Sequence, residues 1–138
     1  MRIVPSVNVT VNGRTRSFRT VAFEARTNAV RLIEQRLLPH EFKIVSARTH
    51  EATAAAIRDM VVRGAGAIGA TAAYGLAQGA AEFAGRGLPA LERHLDRVHG
   101  LLESARPTAV DPANALAEVR QAMAKGATVR ARQTLALE

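Results

Sequence analysis

The sequence predicts an α+β fold: a small N-terminal antiparallel β-sheet followed by a bundle of four or five helices. Three observations carry that prediction. Val7, Val9 and Val11 alternate with Asn8, Thr10 and Asn12, the period-two pattern of a half-buried strand. From Thr49 onward, apolar residues recur at three- and four-residue spacing, the period of a helix with one buried face. Breaks rich in glycine, arginine and proline, at Arg63-Gly64, Gly85-Arg86-Gly87, Arg106-Pro107 and Gly126, then divide that second part into segments. The expected organisation is a β-sheet subdomain over residues 1–48 and a helical bundle over residues 49–138. A chain of 138 residues suits one such unit.

Each element follows from local chemistry. Asn12-Gly13 is a hairpin turn signal, and residues 18–23 are expected as the return strand. Residues 29–35 predict a further strand, broken by Leu38-Pro39 and resumed over Glu41 to Val45. Thr49 is expected to cap the first helix, in which Ala54, Ile57, Met60 and Val61 share a face and which ends at Arg63-Gly64. Ala67 to Phe83 predicts a second helix of very small residues, suited to close packing but weakened by its glycines. Pro89 sits in the first turn of a third helix whose apolar stripe is Leu88, Leu91, Leu95, Val98, Leu101 and Leu102. Asp111-Pro112 is expected to open a fourth helix as N-cap and first helical residue, with Leu116, Val119 and Met123 inward. Gly126 interrupts it, and residues 127–137 continue as a further helix.

Composition limits the function classes. There is no cysteine, which excludes disulfides, thiolate metal sites and a cysteine nucleophile supplied by this chain, and fits a reducing cytoplasm. The net charge is +7, and residues 1–48 hold nine Arg or Lys against Glu24, Glu34 and Glu41. These cations are spread singly, and aromatic residues able to stack on bases are few. A solvated basic face is therefore expected, not a nucleic-acid interface. Met1-Arg2 leads into Ile3-Val4-Pro5 and not into a long apolar segment, so no leader is expected. The run from Gly64 to Ala81 is built of Gly, Ala and Thr, which describes a buried helix better than a membrane span.

The chemistry concentrates in Met60-Val61-Val62-Arg63-Gly64-Ala65-Gly66-Ala67-Ile68-Gly69. A guanidinium, free backbone N–H groups and a helix N-terminus would meet there, which is what a phosphate requires. The structural alternative is a glycine helix C-cap and close packing. Arg106 stands at the corresponding turn after the third helix. If successive helices run antiparallel, the first and third end on the same side, and Arg63 and Arg106 share one rim. The alternative for Arg106 is a cation placed at a helix C-terminus by the macrodipole.

Other candidates read as structural. Gly64-Ala65-Gly66-Ala67-Ile68-Gly69 contains Gly-x-Gly-x-x-Gly, but it follows a helix and not the strand a dinucleotide site needs. His94 and His99 are five apart and share no helical face as a ligand pair would, and His40 and His50 add no metal pattern. Tyr74, among small residues, is expected to pack with its hydroxyl at the bundle edge.

Met60 to Gly69, with Ala72-Ala73-Tyr74-Gly75, resembles the hallmark of the methylthioribose-1-phosphate isomerase family, which is related to ribose-1,5-bisphosphate isomerases and to the regulatory subunits of translation initiation factor 2B. Glu34-Gln35-Arg36-Leu37-Leu38-Pro39 is similar to that family's Asp-Gln-Arg-x-Leu-Pro strand end, and Arg106-Pro107-Thr108-Ala109-Val110 to its Arg-Pro-Thr-Ala-Val-Asn segment. The resemblance runs from about residue 20 to about residue 124. It implies the N-terminal domain of a two-domain isomerase whose Rossmann-like second domain carries the catalytic cysteine and aspartate. Arg63, Gly64 and Ala65 match the family's substrate-contacting Arg-Gly-Ala, and Arg106 a second substrate-binding arginine. No catalytic residue, metal or other cofactor is implied for this chain. The resemblance further implies a sugar 1-phosphate ligand, a homo-oligomer and a cytoplasmic location. The reaction implied for the whole enzyme converts S-methyl-5-thioribose 1-phosphate to S-methyl-5-thioribulose 1-phosphate, a step of methionine salvage. The alternative is a non-catalytic regulatory or assembly subunit, related to translation initiation factor 2B, that binds a sugar phosphate or nucleotide. Three departures mark the chain: Gly66 where proline is usual, Asp111 in place of asparagine, and no tryptophan after it.

Overall fold

The computed structural model describes residues 6–11, 14–37, 40–62, 64–106 and 110–136, and only the backbone of 6–19, 65, 110 and 111. Two strands, β1 (Ser6–Val11) and β2 (Arg14–Arg19), form an antiparallel pair with Val11 opposite Arg14. That register leaves two residues for the turn, the length Asn12-Gly13 favours, although those two lie outside the described residues. A second antiparallel sheet has the order β3 (Val21–Glu24), β4 (Ala29–Ile33), β5 (Ile44–Ala47). The expected single return strand over 18–23 is thus two strands in two sheets. The chain bends at Thr20, whose carbonyl accepts from Ile33 N–H and so still registers β3 on β4. Thr20 is β-branched and carries no break signal, which is why the pattern reads as continuous. The strand expected over 29–35 stops at Ile33, and Gln35–Leu37 is a single 3₁₀ turn. The last strand starts at Ile44, not Glu41. The expected break at Leu38-Pro39 lies outside the described residues.

Five helices follow: α1 (His50–Arg58), α2 (Ala65–Glu82), α3 (Leu88–Ser104), α4 (Val110–Met123) and α5 (Val129–Leu135). Thr49 caps α1 as expected, its hydroxyl oxygen accepting from Ala52 N–H, and Thr128 caps α5 through Ala131 N–H. The end of α1 differs from expectation. Arg58 is its last residue, and Met60 and Val61 are not helical. Val61 N–H donates to Ala56 O and Met60 N–H to Ile57 O, a Schellman closure with Met60 in the left-handed conformation at φ 63. Glycine is usual there; a methionine in its place hides the stop signal. The fourth helix also starts early. Asp111 lies inside its first turn instead of capping it, and Pro112 is its third residue. No first-turn N–H has an intrahelical partner, so proline is tolerated at any of these positions and does not mark one of them.

Helix α2 is the centre of the molecule. Its neighbours α1 and α3 both run antiparallel to it. Thr53 meets Gln78 and His50 meets Glu82 across α1 and α2, while Gly75 lies against Leu102 and Gly79 against Val98 across α2 and α3. These two glycines are required by the approach. A Cβ at Gly79 would sit 2.6 Å from Val98 Cγ1, and one at Gly75 2.8 Å from Leu102 Cδ2. The core joins Ile57, Val62, Leu76, Leu91, Leu95, Leu102 and Leu116 to Val21, Val30 and Leu32 of the sheet. Of the stripe expected on α3, Leu101 turns outward and is exposed. Gln78, fully buried in α2, fastens sheet to helices. Its Nε2 donates to Asn28 O (2.9 Å) and Ala47 O (2.8 Å), and its Oε1 accepts from Thr53 Oγ1 (2.6 Å). Asn28 Nδ2 returns a bond to Gln78 O. Both amide hydrogens are used, which makes burial of this polar group tolerable.

Candidate functional site

The N-terminus of α2 is exposed and uncapped by any side chain. Gly64 is its N-cap, at φ 93 and ψ 137, a conformation that strains any residue with a Cβ. A Cβ at Gly64 would meet nothing within 4 Å. The glycine is therefore demanded by backbone geometry, not by packing. Gly64 thus does not cap α1, which ends at Arg58, and no close approach requires a glycine there. The first intrahelical bond runs from Ile68 N–H to Gly64 O (2.9 Å), so the amides of Ala65, Gly66 and Ala67 lie ahead of it. No acidic residue occupies the first turn. Orphan donors and the positive end of the macrodipole coincide at this point.

The segment leading in is held from three directions. The Schellman bonds fix Met60, the buried side chains of Val61 and Val62 anchor the segment below, and Gln35 N–H donates to Val61 O (2.9 Å). Arg63 itself lies outside the described residues, as does the side chain of Ala65. Gly64 and Arg106 are described.

Arg106 follows the last turn of α3 and is half-buried, with its Nη1 enclosed and without a hydrogen-bond partner among the described residues. Gly79 faces Val98 and Gly75 faces Leu102, so the same four-residue step brings Arg106 level with Thr71. Thr71 is six residues from the first residue of α2, about 9 Å along its axis. The antiparallel packing therefore puts the ends of α1 and α3 on the same side of the bundle, toward the N-terminal half of α2.

The remaining titratable groups form structural clusters. Glu34 is buried at 5 % exposure and takes Arg36 side-on, Nε to Oε1 and Nη2 to Oε2, both at 2.8 Å. Those hydrogen bonds from Arg36 hold the Glu34 carboxyl below its ordinary range, against the opposing pull of burial. His50, Glu51 and Glu82 bring one ligand atom each within 4.8 Å of one another, a grouping that joins residues 32 apart and that spacing along the chain does not reveal. Each ring nitrogen of His50 faces a different carboxylate, and Glu82 Oε2 accepts His50 N–H. The three groups satisfy one another and tie the start of α1 to the end of α2. His94 Nε2 is 2.7 Å from Gly79 O, and His99 Nε2 pairs with Glu103. Tyr74 stacks on Phe23 at 5.7 Å, half-buried, the packing role expected of it. Among the described residues no helix is long and apolar enough to cross a membrane.

The sequence and the fold both have known relatives. The initiation factor 2 subunit family matches residues 61–138. The methylthioribose-1-phosphate isomerase of Sinorhizobium medicae is 42 % identical over 106 residues, covering 77 % of this chain and 28 % of that protein. That of Cereibacter sphaeroides is 46 % identical over 107 residues, covering 78 % and 27 %. Among solved structures, the 5-methylthioribose 1-phosphate isomerase of Pyrococcus horikoshii superposes with a TM-score of 0.79 at 33 % identity, over 86 % of this chain and 33 % of that one. The translation initiation factor eIF-2B, subunit delta, of A. fulgidus does so with the same score and identity, over 87 % and 34 %. The chain thus spans about a third or less of the length of each of these relatives. With the match from the α1–α2 segment onward, the chain belongs to the initiation factor 2 subunit family, alongside the methylthioribose-1-phosphate isomerases.

Proposed function

We propose that this chain is the N-terminal substrate-binding part of an aldose–ketose isomerase, acting on S-methyl-5-thioribose 1-phosphate. Arg63, the amides at Gly64 and Ala65, and Arg106 grip the phosphate. The observation that supports the reading is the enclosed Nη1 of Arg106, without a hydrogen-bond partner among the described residues, at the end of α3 and about 9 Å along the helix axis from the uncapped start of α2. A guanidinium nitrogen taken from water without an acceptor is costly, and an anion held between this side chain and the amides at the start of α2 would supply one. These groups orient the substrate and balance its charge. Proton transfer is left to a second, Rossmann-like domain, because this chain holds no cysteine and we assign it no acid or base. The sheet of residues 1–48 and the helices of 49–138 act together as that one part, in a cytoplasmic homo-oligomer.

Titration calorimetry tests this. The sugar 1-phosphate should bind, and the unphosphorylated methylthioribose should not. Arg106→Ala or Arg63→Ala should weaken binding by about 1.5–3 kcal/mol, the range for hydrogen bonds to charged groups. Equal affinity of the two sugars, or an unchanged Arg106→Ala, would contradict it. A second reading, a non-catalytic assembly or regulatory subunit, draws on the equal structural likeness to the initiation factor subunit. Adding the methylthioribose 1-phosphate and following ketose formation, in the presence of whatever α/β segment the gene encodes, separates the two.

A further inference from the structure

The Glu34–Arg36 pair lies outside the proposed anion loop, yet the chain connects the two directly. Glu34 follows β4 directly and its N–H donates to Lys43 O (2.8 Å), so its backbone is fixed to the segment that leads into β5. Its carboxylate accepts from Arg36 N–H (3.1 Å) as well as from the Arg36 guanidinium. The two ends of a three-residue turn are thereby closed on each other. The residue between them, Gln35, points its N–H at Val61 O, two residues before Arg63 and three before Gly64. Arg36 also lies within electrostatic reach of Asp59, the C-cap of α1. A carboxylate buried to this degree is expensive unless its partners are fully engaged.

We propose that Glu34 is a positioning residue: with Arg36 it closes the turn that holds the Gln35 amide on Val61, and so steadies the loop that leads into Gly64 and the anion-receiving start of α2. This rests on reading that loop as the phosphate site. Glu34 touches no ligand. It acts by removing the loop's alternatives, so that binding does not have to order them.

The test uses the full 138-residue chain labelled with ¹⁵N, with inorganic phosphate as the probe. Four variants are compared: Glu34→Gln, Arg36→Met, the conservative Glu34→Asp, and Glu24→Gln. The last makes the same charge change at the exposed Arg31 pair, away from the loop. Without phosphate, Glu34→Gln and Arg36→Met should speed amide exchange at Gln35 and shift the Gly64 and Gly66 resonances, while resonances of the Gln78 region stay in place. With phosphate, both should raise the dissociation constant about tenfold, the change that 1.4 kcal/mol produces. Glu24→Gln should do neither, and Glu34→Asp should recover most of the affinity. Arg36→Met alters a half-exposed side chain, so it remains informative if Glu34→Gln does not fold. Unchanged Gln35 exchange and Gly64 shifts in Arg36→Met would overturn the proposal, as would phosphate affinities equal to that of Glu24→Gln. If the native chain shows no phosphate response at all, the phosphate reading fails on its own, and the ligand-free exchange data still decide whether Glu34 sets the loop.

Discussion

Two residues next to the α2 N-terminus hold conformations that L-amino acids avoid, and they differ in purpose. Met60 sits at φ 63 with its side chain largely exposed, at a Schellman position that glycine fills without strain. Met60→Gly should therefore raise stability by up to about 1 kcal/mol, the relief of left-handed strain reduced by the greater freedom of glycine in the unfolded chain. Urea unfolding reads this; a loss of stability would show that the Met60 side chain holds something in place. Gly64 cannot be exchanged in the same way, because its φ of 93 is the geometry that opens the helix end. Glu34 adds a pH dependence of known sign. Its folded pKa is lowered by the Arg36 hydrogen bonds, so its contribution is fully present above the ordinary carboxylate value near 4.3 and is lost as pH falls through the lowered folded value. The stability gap between the native chain and Glu34→Gln should be flat from about pH 5 to 7 and close below about pH 4.

At the scale of elements, the close pairing of α2 with α3 makes a sharp prediction. Gly79→Ala brings a methyl to 2.6 Å from Val98 Cγ1 and should cost about 1–3 kcal/mol, the range for overpacking, despite alanine's better helix propensity. Pairing it with Val98→Ala should recover part of that loss in thermal unfolding. Such contacts also show which elements the sequence disclosed. The starts of α1 and α3 were legible because Thr49 and the Gly87-Leu88-Pro89 run are local chemical signals. So was the small-residue face of α2. The end of α1 was not, because its closing residue is a methionine held by two tertiary-independent hydrogen bonds that any residue can make. The division of residues 14–24 between two sheets was hidden too, since Thr20 suits a strand as well as a bend. Of the candidate site, the shared end of α1 and α3 followed from antiparallel succession alone. The roles of Glu34 and of the His50–Glu51–Glu82 cluster depend on contacts between distant segments that no spacing rule reports.

For the molecule as a whole, sheet and helices are joined through the buried amide of Gln78, which touches β5, the β3–β4 turn and α1 at once. Gln78→Leu keeps the volume but removes the donor to the Asn28 and Ala47 carbonyls, while the Thr53 hydroxyl keeps Thr49 O, so it should lower stability by about 1–3 kcal/mol for each carbonyl left unpaired. Equal stability in urea would mean the two parts are held by apolar packing alone. In the proposed function, that scaffold turns the end of α3 toward the open start of α2. The most direct test is a ¹⁵N-resolved titration of the chain with S-methyl-5-thioribose 1-phosphate, following the Gly64 and Gly66 amides and the side-chain Nε–H signals of Arg63 and Arg106. All four should move together along one binding curve. Movement of the amides while Arg106 stays still, or no movement of either, would contradict a single anion held between them.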